Sequence, residues 1–386
     1  MPLMRIPYTS PLPLPKVIPP YATTPSTAIT ALCNFLSPSH SSSGKTVLLT
    51  GAGISVASGL ADYRGTNGTY TLNKTYRPIY YHEFVKDHEA RKRYWARSFL
   101  GWTNLERARR NGGHVAVGEL GRLGVVGGVI TQNVDSFHPE THPSLPTLEL
   151  HGYLRSLVCL SCRNEYPRNT FQSSLSMLNP SWATFLEEML ATGALTTEDP
   201  MERRSKGLRT NPDGDVDVPN ANYTTFRYPA CPVCMAKPPV LGNGEVGRIE
   251  VDSDGGWLPG STAGVLKPAV IMFGESIPNI VKEKAENMID EASRILVIGS
   301  SLATYSAWRL VKRAKERGMG IGILNIGGAR GEDTFYSDMR EDNDGTDAVR
   351  ISERSDLILP EVVKVLEEVE GFKGHKTAPI SHNSSS

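Results

Sequence analysis

Two pairs of cysteines carry the clearest chemistry in this sequence of 386 residues. Cys159 and Cys162 form one Cys-x-x-Cys pair, and Cys231 and Cys234 form the other. Each pair can offer two thiolates to one tetrahedral ion, as in a zinc ribbon. A redox-active pair is the alternative for either motif alone, but two pairs in one chain favour a single structural Zn²⁺ ion. Four thiolates leave no position open for water, so this metal would stabilise structure rather than catalyse.

A glycine-rich turn indicates a second site. Residues 46–50 are apolar or β-branched and predict a buried strand, and the glycines follow directly. Glycine has no Cβ, so backbone N–H groups in such a turn can approach a pyrophosphate. A dehydrogenase fingerprint would have a third glycine where Val56 stands, so this turn differs from that motif. The candidate nucleotide-contacting residues are Gly51, Ala52, Gly53, Ser55, Ser58 and Gly59.

An acid, an aromatic ring and a guanidinium follow this turn as Asp62, Tyr63 and Arg64. A dinucleotide can use an aromatic face beside a ring and a cation near a phosphate or carboxamide. An ordinary tight turn is the alternative for the glycines alone, and these three residues favour a nucleotide site.

A second apolar run, residues 125–130, leads into Gln132, Asn133 and Asp135. Adjacent amides and a carboxylate after a strand suit a ligand crevice at the strand's carboxyl end, although side chains that cap the backbone are the alternative. His151 follows and is succeeded by glycine, a pattern that is more often a structural turn. The unperturbed pKa of histidine nevertheless suits a general base.

Taken in order, these motifs resemble the sirtuins, a family of NAD-dependent protein deacylases. The resemblance rests on Gly-Ala-Gly-Ile-Ser, Ser-Gly, Asp-Tyr-Arg, Thr-Gln-Asn-Val-Asp, His-Gly and the two cysteine pairs, and it covers about residues 26–370. It implies that NAD binds across the carboxyl edge of the sheet, with its nicotinamide near Asn133 and Asp135. It also implies that His151 acts as general base on the ribose hydroxyls.

The same resemblance assigns later segments of the chain. The implied adenosine site comprises Gly299, Ser300, Ser301, Asn325, Ile326, Gly327 and Ser355. The implied acyl-lysine channel includes Val270, Phe273, Gly274 and Glu275. The reaction that the family performs moves the acyl group from lysine to ADP-ribose and releases nicotinamide, so the expected partners are proteins with acylated lysines.

Several segments are similar to the class II branch of the family, whose animal member is the fourth, mitochondrial sirtuin. They include Asn-Pro-Ser-Trp at 179–182 and Pro-Asp-Gly-Asp-Val at 212–216, and Tyr63 replaces the commoner phenylalanine as in that branch. Ala61 departs from the usual proline. Because that branch also transfers ADP-ribose to proteins, an ADP-ribosyltransferase or a catalytically weak NAD-sensing module remains an alternative. A zinc-ribbon interaction protein is a further alternative.

Apolar runs that alternate with helical patterns predict a doubly wound, parallel, Rossmann-like α/β sheet with an inserted zinc-ribbon module. We expect the NAD-binding domain to comprise residues 25–152 and 266–370, with a helical accessory segment at 76–112. The zinc module spans 153–265, and residues 163–230 form an insertion within it. Residues 371–386 are expected to be a disordered tail.

The accessory segment contains a polar pair, Tyr94 and Arg97, three residues apart on one helix face. Sirtuins that act on acidic acyl groups use this Tyr-x-x-Arg spacing to bind a carboxylate. The alternative is a packed helix with a solvated charged face.

Charge and composition limit the partners. Lysine plus arginine and aspartate plus glutamate each number 41, so the formal net charge is zero and argues against non-specific nucleic-acid binding. No apolar run reaches the length of a membrane span, and we expect a monomer. Residues 1–24 are expected to be a disordered or targeting N-terminus. Because residues 1–44 contain no acid and the chain is similar to the class II branch, the expected compartment is the mitochondrial matrix, with cytoplasm or nucleus as alternatives.

Overall fold

The computed structural model describes residues 12–37, 44–73, 76–193, 209–212, 214–218, 220–340 and 343–376. Its strands are β1 (Thr46–Thr50), β2 (Val126–Thr131), β3 (Thr147–Glu149), β4 (Gly152–Cys159), β5 (Glu165–Pro167), β6 (Arg209–Thr210), β7 (Val216–Asp217), β8 (Leu266–Val270), β9 (Arg294–Ile298), β10 (Gly320–Leu324) and β11 (Ala348–Ile351).

The helices are α1 (Pro25–Leu36), α2 (Thr69–Leu72), α3 (Tyr81–Lys86), α4 (His88–Arg107), α5 (Gly112–Arg122), α6 (Phe137–Thr141), α7 (Arg168–Leu178), α8 (Pro180–Ala191), α9 (Pro232–Ala236), α10 (Asn279–Asp290), α11 (Tyr305–Glu316), α12 (Glu332–Phe335) and α13 (Ser355–Lys376). Single 3₁₀ segments cover Ala52–Ser58 and Tyr223–Thr225.

The main sheet has six parallel strands in the order β11-β10-β9-β1-β2-β3. Every residue of β1 and β9 is buried, as expected of short apolar strands that are covered on both faces. One face packs against α1, α5 and α13, and the other packs against α10 and α11. The doubly wound parallel sheet predicted from the sequence is therefore confirmed.

The strand order reverses at β1. The chain runs from β1 outward to β2 and β3, whereas β9 pairs with the opposite edge of β1. In open α/β sheets, ligands bind outside the carboxyl ends of the strands at such a switch point. The topology thus predicts a ligand site at the turns that follow β1 and β9.

A second, three-stranded antiparallel sheet has the order β5-β4-β8. The expected NAD-binding domain resumes at residue 266 and so includes β8. In the structure β8 pairs with β4 instead, so it belongs to the smaller unit, which contains this second sheet and the four cysteines. The five-residue run Leu-Lys-Pro-Ala-Val does not show which of the two sheets it joins, because strand pairing depends on partners distant in sequence.

The accessory helices α3 and α4 also belong to this smaller unit. Trp95 packs on Phe171 with ring centroids 4.6 Å apart, and Phe99 contacts Phe226 at 5.8 Å. The expected segment 76–112 therefore divides, because Gly112 begins α5, which packs on the parallel sheet instead. The insertion at 163–230 shares one aromatic core with α4 rather than forming a separate body.

Both ends of the described chain are more ordered than expected. Ile18 exchanges backbone hydrogen bonds with Arg350 at 2.9 and 2.8 Å, and Ile18 and Ala22 are buried, so residues 12–24 add to the parallel unit. The prediction of a disordered N-terminus is wrong for those residues, and residues 1–11 lie outside the described part. Helix α13 continues through Lys376, into the predicted tail. Among described residues, no helix combines the length and apolarity that a bilayer span requires.

Candidate active site

The turns after β1 and β9 meet at the switch point. The N–H of Gly51 donates to the carbonyl of Ile298 at 3.0 Å, and the N–H of Gly53 donates to that of Gly299 at 2.8 Å. A Cβ on Gly53 would lie 2.7 Å from the Cα of Gly299, which itself has a φ of +60°. Glycine is required where backbones approach this closely, and the result is a crevice lined by backbone.

This crevice opens into a cavity of about 2370 Å³. The predicted residues that line it are His151, Gly51, Ala52, Gly53, Ser55, Gly59, Asp62, Tyr63, Arg64, Gln132, Asn133, Asp135, Val270, Phe273, Gly274, Glu275, Gly299, Ser300, Ser301, Asn325, Ile326, Gly327 and Ser355. Ser58 is not among the lining residues. Its hydroxyl accepts a hydrogen bond from Asn111 Nδ2 at 2.9 Å, so the 3₁₀ turn points it toward α5, and its expected nucleotide contact is not supported.

Asp135 is held by a hydrogen-bond network beneath the crevice. Its Oδ2 atom accepts from the hydroxyl of Ser55 at 2.7 Å, and its Oδ1 atom accepts from the N–H of Phe137 at 3.0 Å. Asn133 Nδ2 donates to Ser55 Oγ at 3.1 Å. Burial raises the pKa of Asp135, and the two hydrogen bonds partly oppose that rise.

His114 completes this network. The backbone N–H of Asn111 donates to its Nδ1 atom at 3.3 Å, so in the neutral ring the proton resides on Nε2. Nε2 lies 3.4 Å from Ser55 Oγ and donates to it. The Ser55 oxygen thus receives two donors and sends its own proton to Asp135. Burial lowers the pKa of His114 to about 4, which keeps this imidazole neutral at physiological pH.

His151 lies at the carboxyl edge of the sheet, directly after β3. Its Nδ1 atom is 3.1 Å from the carbonyl of Gln132, and its Nε2 atom is 2.8 Å from the hydroxyl of Ser306. A carbonyl only accepts, so Nδ1 carries the proton and Nε2 presents a lone pair. Burial lowers the pKa of His151 to about 4, and the bond to Gln132 opposes this. The ring is therefore a neutral base at physiological pH.

Asp62, Tyr63 and Arg64 form one wall of the cavity. Both carboxylate oxygens of Asp62 accept from the N–H of Gly65, at 3.0 and 3.1 Å, which closes a tight turn. Tyr63 stacks on Tyr70 with centroids 5.8 Å apart, and the Arg64 guanidinium lies 4.9 Å from the Tyr70 ring. The segment that follows contains the short helix α2, and Tyr70 of that helix contacts both Tyr63 and Arg64.

The four predicted zinc ligands come together, although the insertion at 163–230 separates the two pairs in sequence. Their Sγ atoms all lie within 4.8 Å of one another, with Cys159 and Cys234 at 3.5 Å and Cys162 and Cys231 at 3.8 Å. Tetrahedral zinc–thiolate bonds of about 2.3 Å require sulfur atoms about 3.8 Å apart, so the residues fit one Zn²⁺ ion. The end of β4 and the turn after it supply Cys159 and Cys162, and the N-terminus of α9 supplies Cys231 and Cys234.

The segment after β8 borders the cavity near His151. The N–H of Ile271 donates to the carbonyl of His151 at 2.7 Å, which joins this segment to the base. Glu275 accepts from Lys267 Nζ at 3.0 Å and from the N–H of Met272 at 2.9 Å. The carboxylate of Glu275 thus holds this segment through hydrogen bonds to Lys267 and Met272. Val270, Phe273 and Gly274 of the segment line the cavity.

Tyr94 and Arg97 also line the cavity, but Arg97 is not solvated. Its guanidinium is 2.5 Å from the carboxylate of Asp215, which lies between β6 and β7. Burial lowers the pKa of Arg97, but the charge of Asp215 together with Tyr76, Asp217 and Tyr223 more than offsets this, so the net pKa is raised. The alternative of a solvated charged face is therefore wrong at this position.

Sequence reasoning missed several residues of the site. They are Asn111, His114, Ser306 and Asp215. Ser306 stands shortly after the small residues Gly299, Ser300 and Ser301, which was an available signal. Asp215 lies in the segment that is similar to the class II branch, and that local pattern does not reveal an arginine partner far away in sequence.

Together, these features define a class of protein: an α/β nucleotide-binding enzyme with a neutral histidine base at the sheet edge and a four-cysteine metal module. The chain belongs to the Sir2 family, whose model matches residues 51–306. The sequence-based recognition of the sirtuins is thereby confirmed.

Individual relatives and solved structures are also similar to this chain. The chain is 40% identical over 309 residues to the NAD-dependent protein deacylase SIR4 of Batrachochytrium dendrobatidis, which covers 78% of this chain and 86% of that protein. It is 35% identical over 292 residues to the NAD-dependent protein deacylase SRT2 of Arabidopsis thaliana, with 75% and 68% covered. A structure described as a Sir2 homolog–NAD complex superposes with a TM-score of 0.50 at 21% identity, covering 89% of this chain and 94% of that chain, and shows a shared fold.

Proposed function

We propose that this protein is an NAD-dependent protein-lysine deacylase. The observation that carries the proposal is the neutral His151, whose Nε2 lone pair lies in the same cavity as Asn133 and Asp135. The relatives described as NAD-dependent protein deacylases support it. NAD, when bound, supplies the ADP-ribosyl group that accepts the acyl group and the nicotinamide that leaves.

The residues of the chain divide the work by position. The backbone crevice at Gly51, Gly53 and Gly299 suits a pyrophosphate, because no side chain blocks the approach. Asn133 and Asp135 are fixed through Ser55 and present a polar surface of the kind that a carboxamide needs. His151 accepts a hydroxyl proton at Nε2, while its Nδ1–H bond to Gln132 holds the tautomer.

The acylated lysine is expected to enter along Val270 and Phe273, which border the cavity beside His151. A polypeptide can add to the exposed edge of such a segment, which positions the lysine by backbone hydrogen bonds. The four cysteines would hold one structural Zn²⁺ ion in the smaller unit.

The deciding experiment measures nicotinamide release from NAD by the purified zinc-loaded protein, with acyl-lysine peptides and mass detection of products. Peptide-dependent release with formation of O-acyl-ADP-ribose would establish the deacylase. Nicotinamide release with ADP-ribose attached to protein would replace it with an ADP-ribosyltransferase. Binding of NAD with no release in the presence of any peptide would contradict both and favour a sensor.

We also propose a mitochondrial location, with the cytoplasm and nucleus as alternatives. The acid-free residues 1–44 and the resemblance to the class II branch support it. Removal of a targeting segment before residue 12 would leave the backbone pairing of Ile18 with Arg350 in place. Fluorescence microscopy of a full-length fusion, compared with a fusion lacking residues 1–11, tests the location. Equal diffuse staining of both fusions would contradict it.

A further inference from the structure

The Arg97–Asp215 ion pair lies in the active-site cavity and not on the surface. The Arg97 side chain is 8% exposed and that of Asp215 is 15% exposed, and both line the cavity that contains His151. Arg97 comes from α4, whereas Asp215 comes from the turn between β6 and β7 in the insertion. Two parts of the smaller unit therefore meet at one end of the substrate cavity.

A row of tyrosine rings connects this end of the cavity to the nucleotide side. Tyr63 lies 5.8 Å from Tyr70, and Tyr70 lies 5.7 Å from Tyr76, between ring centroids. The Arg97 guanidinium lies 5.9 Å from the Tyr76 ring. The ion pair is thus connected to the Asp62–Arg64 turn through Tyr76 and Tyr70.

Three polar atoms at this end have no hydrogen-bond partner among the described residues. They are Arg97 Nε, Asp215 Oδ1 and Asn211 Nδ2, each buried from solvent. Arg97 and Asn211 are more than nine-tenths buried, and all three residues line the cavity. Buried polar atoms in proteins are nearly always paired, so three orphans in one place mark a site for a polar ligand.

The position of Asp215 is built into the backbone. A Cβ on Gly101 of α4 would lie 1.7 Å from the carbonyl oxygen of Gly214, so only glycine admits the turn at this distance. Gly214 itself has a φ of +71°. The N–H of Asn211 donates to the carbonyl of Asp215 at 3.0 Å, and the N–H of Gly214 donates to that of Asn211 at 2.9 Å. Asp215 is therefore held against Arg97 by a tight, hydrogen-bonded turn.

The charges at this end oppose an acidic ligand. A free arginine would bind a carboxylate, but Arg97 already has the carboxylate of Asp215 at 2.5 Å. A second carboxylate would face Asp215 at short range, and like charges in a poorly solvated cavity repel strongly. A purely apolar group would leave Arg97 Nε, Asp215 Oδ1 and Asn211 Nδ2 unpaired.

We propose that this end of the cavity receives an acyl chain that ends in an uncharged hydrogen-bonding group, such as a primary amide or a hydroxyl. An amide oxygen would accept from Arg97 Nε and Asn211 Nδ2, and an amide N–H would donate to Asp215 Oδ1. The proposal rests on the deacylase function and names its substrate class. It also replaces the sequence-based expectation that Tyr94 and Arg97 bind a carboxylate.

The test compares acyl groups of the same shape on one lysine peptide. Glutaryl-lysine ends in a carboxylate, glutaramoyl-lysine in a primary amide and 5-methylhexanoyl-lysine in an apolar group of the same size. We expect kcat/KM for glutaramoyl to exceed that for each of the other two by about tenfold or more, because a buried hydrogen-bonding site rejects analogues that leave it unpaired. Acetyl-lysine serves as the reference, since its acyl group has no terminal hydrogen-bonding group.

The variant Asp215→Asn tests the cause of this preference. It removes the charge and keeps the shape, so Arg97 becomes available, and we expect glutaryl to overtake glutaramoyl. Asp290→Asn is the matched control, because Asp290 also pairs with an arginine, Arg313, but outside the cavity. That control should keep the wild-type ranking, and circular dichroism spectra and melting curves like those of the wild-type protein would show that both variants fold.

Peptide binding without NAD, measured by fluorescence anisotropy, ranks the same acyl groups independently of turnover. A wild-type preference for glutaryl or 5-methylhexanoyl in both assays would overturn the proposal, as would a ranking that Asp215→Asn leaves unchanged. Absence of turnover with every peptide, acetyl included, would instead contradict the deacylase function, while the binding order would still decide the proposal.

Discussion

The Nε2 atom of His151 lies 2.8 Å from the hydroxyl of Ser306. Because Nδ1 faces the carbonyl of Gln132, the hydroxyl must be the donor in this contact, and Nε2 is the atom left to accept a proton. A substrate hydroxyl could take the place of the Ser306 hydroxyl at the same lone pair. The imidazole of His151 is therefore already in the tautomer that can accept a proton before any ligand binds.

Replacement of the base is the first prediction. We expect His151→Ala to lower kcat for deacylation by roughly 10²–10⁴, because a positioned base contributes about that factor. Ser306→Ala is the matched control, since it removes the partner of Nε2 and leaves the imidazole in place. Its effect should be much smaller. Near-normal turnover of a folded His151→Ala protein, checked by circular dichroism, would contradict the role.

The second prediction concerns the network beneath the crevice. We expect Ser55→Ala to raise KM for NAD by roughly 10–100-fold, because Asp135 loses a donor and two buried donors lose their acceptor, at about 1–3 kcal/mol for such a group. Ser58→Ala makes the same change on the same turn, but Ser58 contacts Asn111 rather than the cavity. Equal effects of the two variants in steady-state kinetics would show that the network does not position the nucleotide site.

Removal of the metal is the third prediction. Structural zinc supplies on the order of 10 kcal/mol to small modules, so a chelator should unfold the smaller unit and abolish activity. Cys234→Ser should lower the zinc content, measured by elemental analysis, and the melting temperature. Cys33→Ser is the control, because Cys33 is buried in α1 far from the cluster. Full zinc content and unchanged melting in Cys234→Ser would refute the four-thiolate site.

The fourth prediction is a loss of stability in acid. His114 has a pKa of about 4 in the fold, against about 6.5 when exposed, because burial disfavours its charged form. Its neutral form favours the native state fully above pH 6.5, and this contribution is lost as pH falls toward 4, where only the unfolded chain has taken up the proton. The difference amounts to about 3 kcal/mol for this residue.

Urea unfolding at a series of pH values between 7.5 and 5 measures this effect. We expect the free energy of unfolding to fall with pH in the wild-type protein and to fall less steeply in His114→Gln, which cannot titrate there. The buried His138, whose pKa is also lowered, should retain part of the slope in that variant. Parallel curves for the two proteins would exclude His114 as a source of acid sensitivity.

Local patterns were sufficient for the main features of this protein. Short apolar runs such as 46–50 and 294–298 predicted the central strands, because strands covered on both faces have no other pattern available. Two Cys-x-x-Cys pairs identified the metal ligands, since each pair has its geometry within four consecutive residues. The order of the glycine, amide and histidine motifs identified the family. Each of these motifs consists of a few adjacent residues, and the order of the motifs can be read directly along the chain.

Features that join distant segments needed the tertiary structure. The pairing of β8 with β4, the packing of α4 against the insertion and the contact of Ile18 with Arg350 all depend on partners far away in sequence. The Arg97–Asp215 pair is the clearest example. The sequence showed an arginine at a spacing suited to a carboxylate ligand. Only the fold showed that Asp215 of the same chain supplies that carboxylate, because the partner of a buried charge depends on which residues pack against it.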